Sequence, residues 1–149
     1  MLKGRRLAFD YGNVRIGVAV SDPDGIFASP RDFLANDENF EYNLSALLAE
    51  VEPIYIVIGL PLHLHGGSSA KSDSVHDFAA RLRTSYSSDI YFVDERLSTV
   101  SAAKALRESG KDARTSRSLI DSAAAAGILE SALMAEKSQG TPSKRKYEG

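Results

Sequence analysis

The chain has 149 residues, 43% apolar and 26% charged, with 18 basic and 20 acidic side chains and a formal net charge of -2. That size suits one domain with a sizeable core, and the charge balance speaks against bulk affinity for nucleic acid while leaving room for a local basic patch. Cysteine is absent, which excludes disulfides and thiolate metal sites; no apolar run approaches a membrane span and Met1-Leu2-Lys3-Gly4 lacks a signal-peptide apolar region, so a cytoplasmic location is expected.

The first predicted strand runs from Arg5 to Gly12. Leu7 and Phe9 point to one face, Ala8 and Asp10 to the other, because strand side chains alternate. A strand apolar on both faces belongs in the middle of a covered sheet. It ends in a carboxylate, Asp10, next to Gly12, where the backbone can turn tightly. Gly12-Asn13 is a hairpin signal leading to a second strand, Val14 to Ser21. Ile16, Val18 and Val20 share one face of it. Arg15, Gly17 and Ala19 share the other, which is small enough inboard of the arginine for another element to approach. Asp22-Pro23-Asp24-Gly25 is a turn. Ile26 to Leu34 reads as a third antiparallel strand, placed at an edge by Pro30, which has no amide hydrogen.

Asp37 opens a predicted helix in which Phe40, Leu44, Leu47, Leu48 and Val51 form one stripe, and Pro53 stops it. Ile54 to Gly59 is a β-branched apolar run that reads as a buried parallel strand. Leu60 to Ser69 is a glycine-rich loop with His63 and His65, followed by Val75, Phe78, Ala79, Leu82 and Tyr86 at helical spacing. Asp89 to Glu95 is a fifth strand that, like the first, ends in acid. Ser98 to Ser109 is a predicted helix with Gly110 as its stop, Lys111 to Ser118 a polar, basic connection, and Leu119 to Glu136 an alanine-rich helix. Residues 137–149 have no apolar periodicity and are expected to be a disordered basic tail beyond a domain spanning 1–136. The order of elements predicts an α/β fold: a five-stranded mixed sheet, order 3-2-1-4-5, with helices on both faces, since right-handed crossovers set the fourth strand beside the first.

Asp10 and Glu95 therefore emerge at one edge of the sheet. Asp121, early in the last helix, borders the stripe Ala124, Ala125 and Ile128, whose small side chains let the helix lie close to the sheet. Three carboxylates at one point repel each other unless a cation compensates. Oxygen ligands without cysteine favour Mg²⁺ or Mn²⁺. Two such ions roughly 3.5–4 Å apart can activate a water and stabilise the leaving oxygen of a phosphodiester. Singly, each acid has an ordinary explanation: Asp10 as a turn cap, Glu95 as a partner of Arg96, Asp121 as an anion near a helix N-terminus. Their joint placement favours a site. Arg15, Arg96, Lys111, Arg114 and Arg117 are candidates to grip a nucleic-acid backbone, with solvated salt bridges as the alternative. His63 and His65 lack a third imidazole or a cysteine beside them, so a metal-ligand role is not expected.

Asp10-Tyr11-Gly12, followed by Arg15-Ile16-Gly17-Val18-Ala19-Val20-Ser21-Asp22, resembles the opening motif of the YqgF family of Holliday-junction resolvases, which have a ribonuclease H-like fold. Gly59-Leu60-Pro61-Leu62, Asp94-Glu95-Arg96-Leu97-Ser98-Thr99 and Asp121-Ser122-Ala123-Ala124-Ala125-Ala126-Gly127-Ile128-Leu129 match its later motifs in order. The resemblance runs from about Leu7 to about Leu133. It implies a ribonuclease H-like nuclease domain in which Asp10, Glu95 and Asp121 are the catalytic, metal-holding acids. Junction cleavage and maturation of ribosomal RNA precursors have both been assigned to members, so a four-way DNA junction and the 5′ end of precursor 16S ribosomal RNA are alternative substrates. A symmetric junction needs two matched cuts, which suits a homodimer.

The chain departs from the pattern in two places. Val14 stands where many members have lysine, and Leu60 to Ser69 contains no acid where many ribonuclease H-like nucleases place their second one. Two other classes share parts of the pattern. ATP-binding proteins of the actin and sugar-kinase type also begin with an acid and a glycine-turn hairpin, but need two such domains around a cleft. A non-catalytic nucleic-acid-binding module gains nothing from clustered negative charge.

Overall fold

Leu7 and Phe9 lie fully buried in the larger apolar cluster, and Ala8 lies buried in a second cluster on the opposite side of the same sheet. The first strand is thus the covered centre that its alternation predicts. The structure, a computed structural model, describes residues 2–61, 70–95 and 113–149, with side-chain surroundings in these stretches except at residues 70–71 and 113–121. In chain order the elements are β1 (Leu7–Asp10), β2 (Arg15–Ser21), β3 (Ala28–Ala35), α1 (Phe40–Val51), β4 (Tyr55–Leu60), α2 (Ala70–Arg83), β5 (Asp89–Asp94), α3 (Ala113–Gln139) and β6 (Arg145–Lys146). The sheet order is β3-β2-β1-β4-β5-β6. β1 pairs antiparallel with β2 and parallel with β4, and β5 continues the parallel run.

The two faces are built differently. Phe40 and Leu44 of α1 and Val75, Phe78, Ala79 and Leu82 of α2 join Leu7, Phe9, Ile56 and Ile58 in one core. Phe78 is its hub, with ring centroids 5.6 Å from Phe9, 5.6 Å from Phe40 and 5.0 Å from Tyr11. On the other face Ala125, Ala126, Ile128, Leu129, Ala132 and Leu133 of α3 pack on Ala8, Ala19, Val57 and Val93. Small residues on both sides let this single long helix lie close to the strands. α1 ends through Glu52, whose left-handed φ of 49° lets its N–H bond to the Leu48 carbonyl at 2.8 Å. The helix begins at Phe40, after a turn in which the Asp37 carboxylate accepts the Asn39 N–H at 2.9 Å.

Three expectations are corrected. The sheet has a sixth strand, and the terminal segment supplies it: Arg145 and Lys146 pair antiparallel with Phe92 and Tyr91. The Tyr147 N–H bonds to the Ile90 carbonyl at 2.8 Å, and its ring packs edge-on to Phe92 at 6.2 Å. A two-residue strand is too short to show periodicity, so only its docking reveals it. α3 also starts at Ala113 and ends at Gln139, so Arg114 and Arg117 stand on its first turns, not in a connection. Alanine and arginine are strong helix formers even where apolar spacing is missing. The predicted helix 98–109, Gly110, Lys111, Arg96, His63 and His65 lie outside the described residues. Among the described residues, no helix is long and apolar enough to cross a membrane.

The end of the sheet away from Asp10 is closed by a buried ion pair. The fully buried Arg6 donates through Nη2 and Nε to the Glu136 carboxylate at 2.9 and 3.3 Å. Its remaining donors reach the carbonyls of Gly4, Leu2 and Pro23 at 2.7, 2.8 and 3.2 Å. Tyr55 donates its hydroxyl to Glu136 at 2.8 Å. Burial, and then this bond to Glu136, push the Tyr55 hydroxyl pKa well above its ordinary value.

Candidate active site

β1 and β4 run parallel with Phe9 beside Ile58, so the next position places Asp10 beside Gly59. Alternation turns the Asp10 side chain to the face of Ala8, the face covered by α3. Across β4, Gly59 pairs with Val93 of β5, and Glu95 follows one residue after that strand ends. Glu95 leans back over Gly59: a Cβ there would lie 3.0 Å from Glu95 Cγ and 3.1 Å from its Oε1, and would overlap Ile128 Cδ1 of α3. Gly59 is therefore the floor between two half-buried carboxylates, and only a residue without a side chain leaves that space open.

α3 carries Asp121 one turn before Ala125 and two turns before Ile128, both buried against the sheet. Its side chain lies outside the described ones. The next residue, Ser122, is fully buried and pins the helix. Its hydroxyl accepts the Val18 N–H at 3.1 Å and donates to the Arg31 carbonyl at 2.5 Å. The β2–β3 register shifts between Ile16 and Val18, so these two strand groups are bridged by Ser122 beside the irregularity. Val18 is next to Gly17, and Gly17 is the antiparallel partner of Asp10. The helix carrying Asp121 is thus anchored one strand away from Asp10.

A second anchor holds the turn after Asp10. Asn36 donates to the Gly12 carbonyl at 3.0 Å and to the Tyr11 hydroxyl at 3.3 Å, while its own N–H reaches the Val14 carbonyl at 2.9 Å. Arg81 of α2 donates to the Asn36 Oδ1 at 3.3 Å. Gly12 is required by close approach, because a Cβ would run into the Arg15 carbonyl. Arg15 stands exposed at the start of β2 on this edge, its guanidinium 5.3 Å from the Phe33 ring centre. Val14 is 72% exposed and brings no charge to the turn.

Of the acids expected from the sequence, Asp10 and Glu95 flank Gly59 and Asp121 stands on the overlying helix. Arg15 is on the same edge, Arg114 and Arg117 are on the first turns of α3, and Arg96 and Lys111 are outside the described residues. Sequence reasoning did not single out Gly59, Ser122 or Asn36 as parts of the site. Ser122 does interrupt the small apolar face after Asp121, and a hydroxyl there has to find a partner. Among the described residues no group of three or more His, Cys, Asp or Glu gathers as a metal site. The two placed carboxylates offer hard oxygen donors only, over an open glycine floor, and that chemistry fits Mg²⁺ or Mn²⁺ and not a thiophilic ion.

The family described as RuvX, Holliday junction resolvase, matches the chain over residues 4–135. A protein from Streptomyces coelicolor is 43% identical over 145 residues, covering 95% of this chain and 87% of its own length. One from Clavibacter michiganensis subsp. michiganensis is 42% identical over 145 residues, covering 95% and 90%. Both carry the name "Putative pre-16S rRNA nuclease". The chain is also similar to Thermus thermophilus RuvC in complex with a Holliday junction substrate, with TM-score 0.56, 12% identity, and 91% and 97% of the two chains covered. That likeness concerns the fold, and it bears out the expected ribonuclease H-like architecture. The family match over nearly the whole chain and the relatives above 40% identity show that this chain belongs to the RuvX family of Holliday junction resolvases.

Proposed function

We propose that the chain is a Mg²⁺- or Mn²⁺-dependent endonuclease that hydrolyses phosphodiesters in structured nucleic acid, with Asp10, Glu95 and Asp121 as its catalytic acids. The observation that carries this reading is the pair of carboxylates on either flank of Gly59 at one sheet edge. When bound, a divalent cation supplies an activated water and offsets charge on the phosphate. Asp10, on the rigid central strand, holds the ligand set in place, and Glu95 and Asp121 complete it from β5 and α3. Without a cation these acids would repel each other. Arg15 meets the phosphate backbone at the edge, and Arg96, Lys111, Arg114 and Arg117 are its further contacts to that backbone. Substrate and enzyme would meet in the cytoplasm.

The substrate is a four-way DNA junction on the family's description, and two-fold symmetry of the junction suits a homodimer. A second reading, trimming of precursor 16S ribosomal RNA, is favoured by the name that the relatives at 42–43% identity carry. One experiment tests both. Wild type and Asp10→Asn are incubated with a four-way junction and with precursor ribosomal RNA, in Mn²⁺ or in chelator. Asp10→Asn keeps shape and removes charge, so cleavage of the true substrate falls by about a hundredfold or more while folding persists. Equal cleavage by the two proteins, or cleavage undiminished in chelator, would end the proposal.

A further inference from the structure

We propose that the Phe33 ring, backed by the Arg15 guanidinium, is a stacking platform for an unpaired nucleobase, so that the chain takes nucleic acid with an unpaired nucleotide beside the phosphate to be cut. The inference rests on the nuclease reading of the Asp10 edge. The β2–β3 register passes from Ile16 opposite Leu34 to Val18 opposite Arg31, so Gly17 faces two residues, Asp32 and Phe33. Gly17 is also the partner of Asp10 on β1. A bulge of this kind re-aims a side chain, and bulges gather beside active sites. Leu34 packs on the core formed with α1 and α2, so Phe33 turns to the opposite face, that of Ala8, Asp10 and Ala19. Arg15, next to the core residue Ile16, turns the same way, and its guanidinium lies 5.3 Å from the Phe33 ring centre. Neighbouring strands lie about 4.8 Å apart, so Phe33 stands two strands and about 10 Å from Asp10, with Gly17 between them.

The ring is placed for a ligand more than for packing. Phe33 is half-buried, and among the described residues it joins neither apolar cluster. Every nucleobase offers a π-face, and aromatic rings beside arginines hold single strands without reading base edges. A base inside a duplex is already stacked on its neighbours, so a nucleotide that reaches Phe33 has to be unpaired. Arg15 alone would serve a phosphate. The ring adds a preference for an exposed base, and fixing that base brings the adjoining phosphate toward Asp10 across a strand that carries no side chain at Gly17. The platform therefore selects the structure of the substrate, while the acids do the chemistry.

Fluorescence titration at low salt, in chelator so that no cleavage intervenes, tests the inference. The probe is a duplex interrupted by a short unpaired stretch that carries an adenine analogue whose emission falls when it stacks, made as DNA and as RNA. A fully paired duplex of the same length is the control. Binding of wild type should quench the analogue in the unpaired stretch. Phe33→Leu should abolish the quench and raise the dissociation constant for that probe about tenfold, with the paired duplex changed by less than about twofold. Phe33→Trp, which keeps a π-face, should restore both quench and affinity, and this rescue separates stacking from a disturbed fold. A wild type that binds without quenching overturns the proposal, as does a Phe33→Leu variant that binds the unpaired probe as tightly as wild type or loses both probes equally. Asp10-dependent cleavage with binding indifferent to Phe33 would keep the nuclease reading and remove the platform. A Phe33-dependent quench in a chain whose cleavage does not depend on Asp10 would keep the platform and remove the catalytic assignment.

Discussion

Gly59 sets how closely Glu95 and α3 can approach Asp10. A methyl group at this position meets Ile128 Cδ1 and comes within 3.0 Å of Glu95 Cγ. Gly59→Ala must therefore move the helix or the carboxylate. Small displacements at a reacting centre cost about a hundredfold in rate, and overpacking costs about 1–3 kcal/mol of stability. Steady-state kinetics and urea unfolding on the same variant should show both, with the loss in kcat exceeding any change in substrate affinity. Ser122 acts on the backbone instead. Removing its hydroxyl leaves the Val18 N–H and the Arg31 carbonyl without their bridge in a buried position. Unmet buried polar groups cost about 1–3 kcal/mol. Ser122→Ala should lose that much stability in urea. Faster amide exchange at Val18, next to the partner of Asp10, would distinguish this bridge from simple loss of packing.

At the scale of elements, α3 is the lever arm. It is held within its N-terminal half by Ser122 and near its C-terminal end by Glu136, 14 residues and about 21 Å further along. Glu136 draws together the helix end, Arg6 at the start of the central strand and, through Arg6, the carbonyls of Leu2, Gly4 and Pro23. Burial works against the charge on Arg6, yet the hydrogen bond and charge of Glu136 outweigh it and raise its pKa. Glu136→Ala leaves a buried guanidinium and the Tyr55 hydroxyl without their acceptor. Breaking one side of a buried pair costs about 3–5 kcal/mol, whereas replacing both sides with apolar residues of similar volume is close to neutral. Thermal denaturation of Glu136→Ala should show the full loss, and Arg6→Met with Glu136→Met should recover most of it. No recovery would mean that the carbonyl contacts of Arg6 carry the stability, not the ion pair.

At the scale of the whole molecule, the response to acid follows from several surface carboxylates. Asp22 accepts the N–H groups of Phe27 and Ile26, each at 2.8 Å, and these bonds hold its pKa below the ordinary 3.8. Hydrogen bonds from Arg81 and Arg31 do the same for Glu41 and Glu50, below 4.5. A carboxylate whose folded pKa is depressed stabilises the fold at pH above its unfolded value, and loses that contribution as pH falls through the folded one. Melting temperature should therefore be level near neutrality and fall below about pH 4.5. Asp22→Ala should melt lower at neutral pH and lose less on acidification. An acid slope as steep as that of wild type would show that Asp22 does not contribute to it. At the other end, the Asp89 carboxylate raises the Lys146 pKa above 10.5, so the contact joining β5 to β6 persists through neutral pH and weakens only above that value.

The sequence by itself determined the order of the first five strands and the edge of the candidate site. Alternation in β1, the continuous apolar run of β4 and the acid at the end of β5 are properties of short segments, and right-handed crossover leaves few ways to order such strands. From that order alone Asp10 and Glu95 reach the same edge. Only the tertiary structure decided what lies between them and what holds α3 above them. The contact of Glu95 and Ile128 over Gly59 joins three elements, and no local pattern encodes a space defined by an absent side chain. The Ser122 bridge depends on a register shift between β2 and β3, which arises from pairing and not from either strand alone. β6 has two residues, and they become a strand only because β5 offers an unpaired edge and Tyr147 finds Phe92. A segment that short has too little periodicity to be read, and too little surface to fold, until its partner is in place.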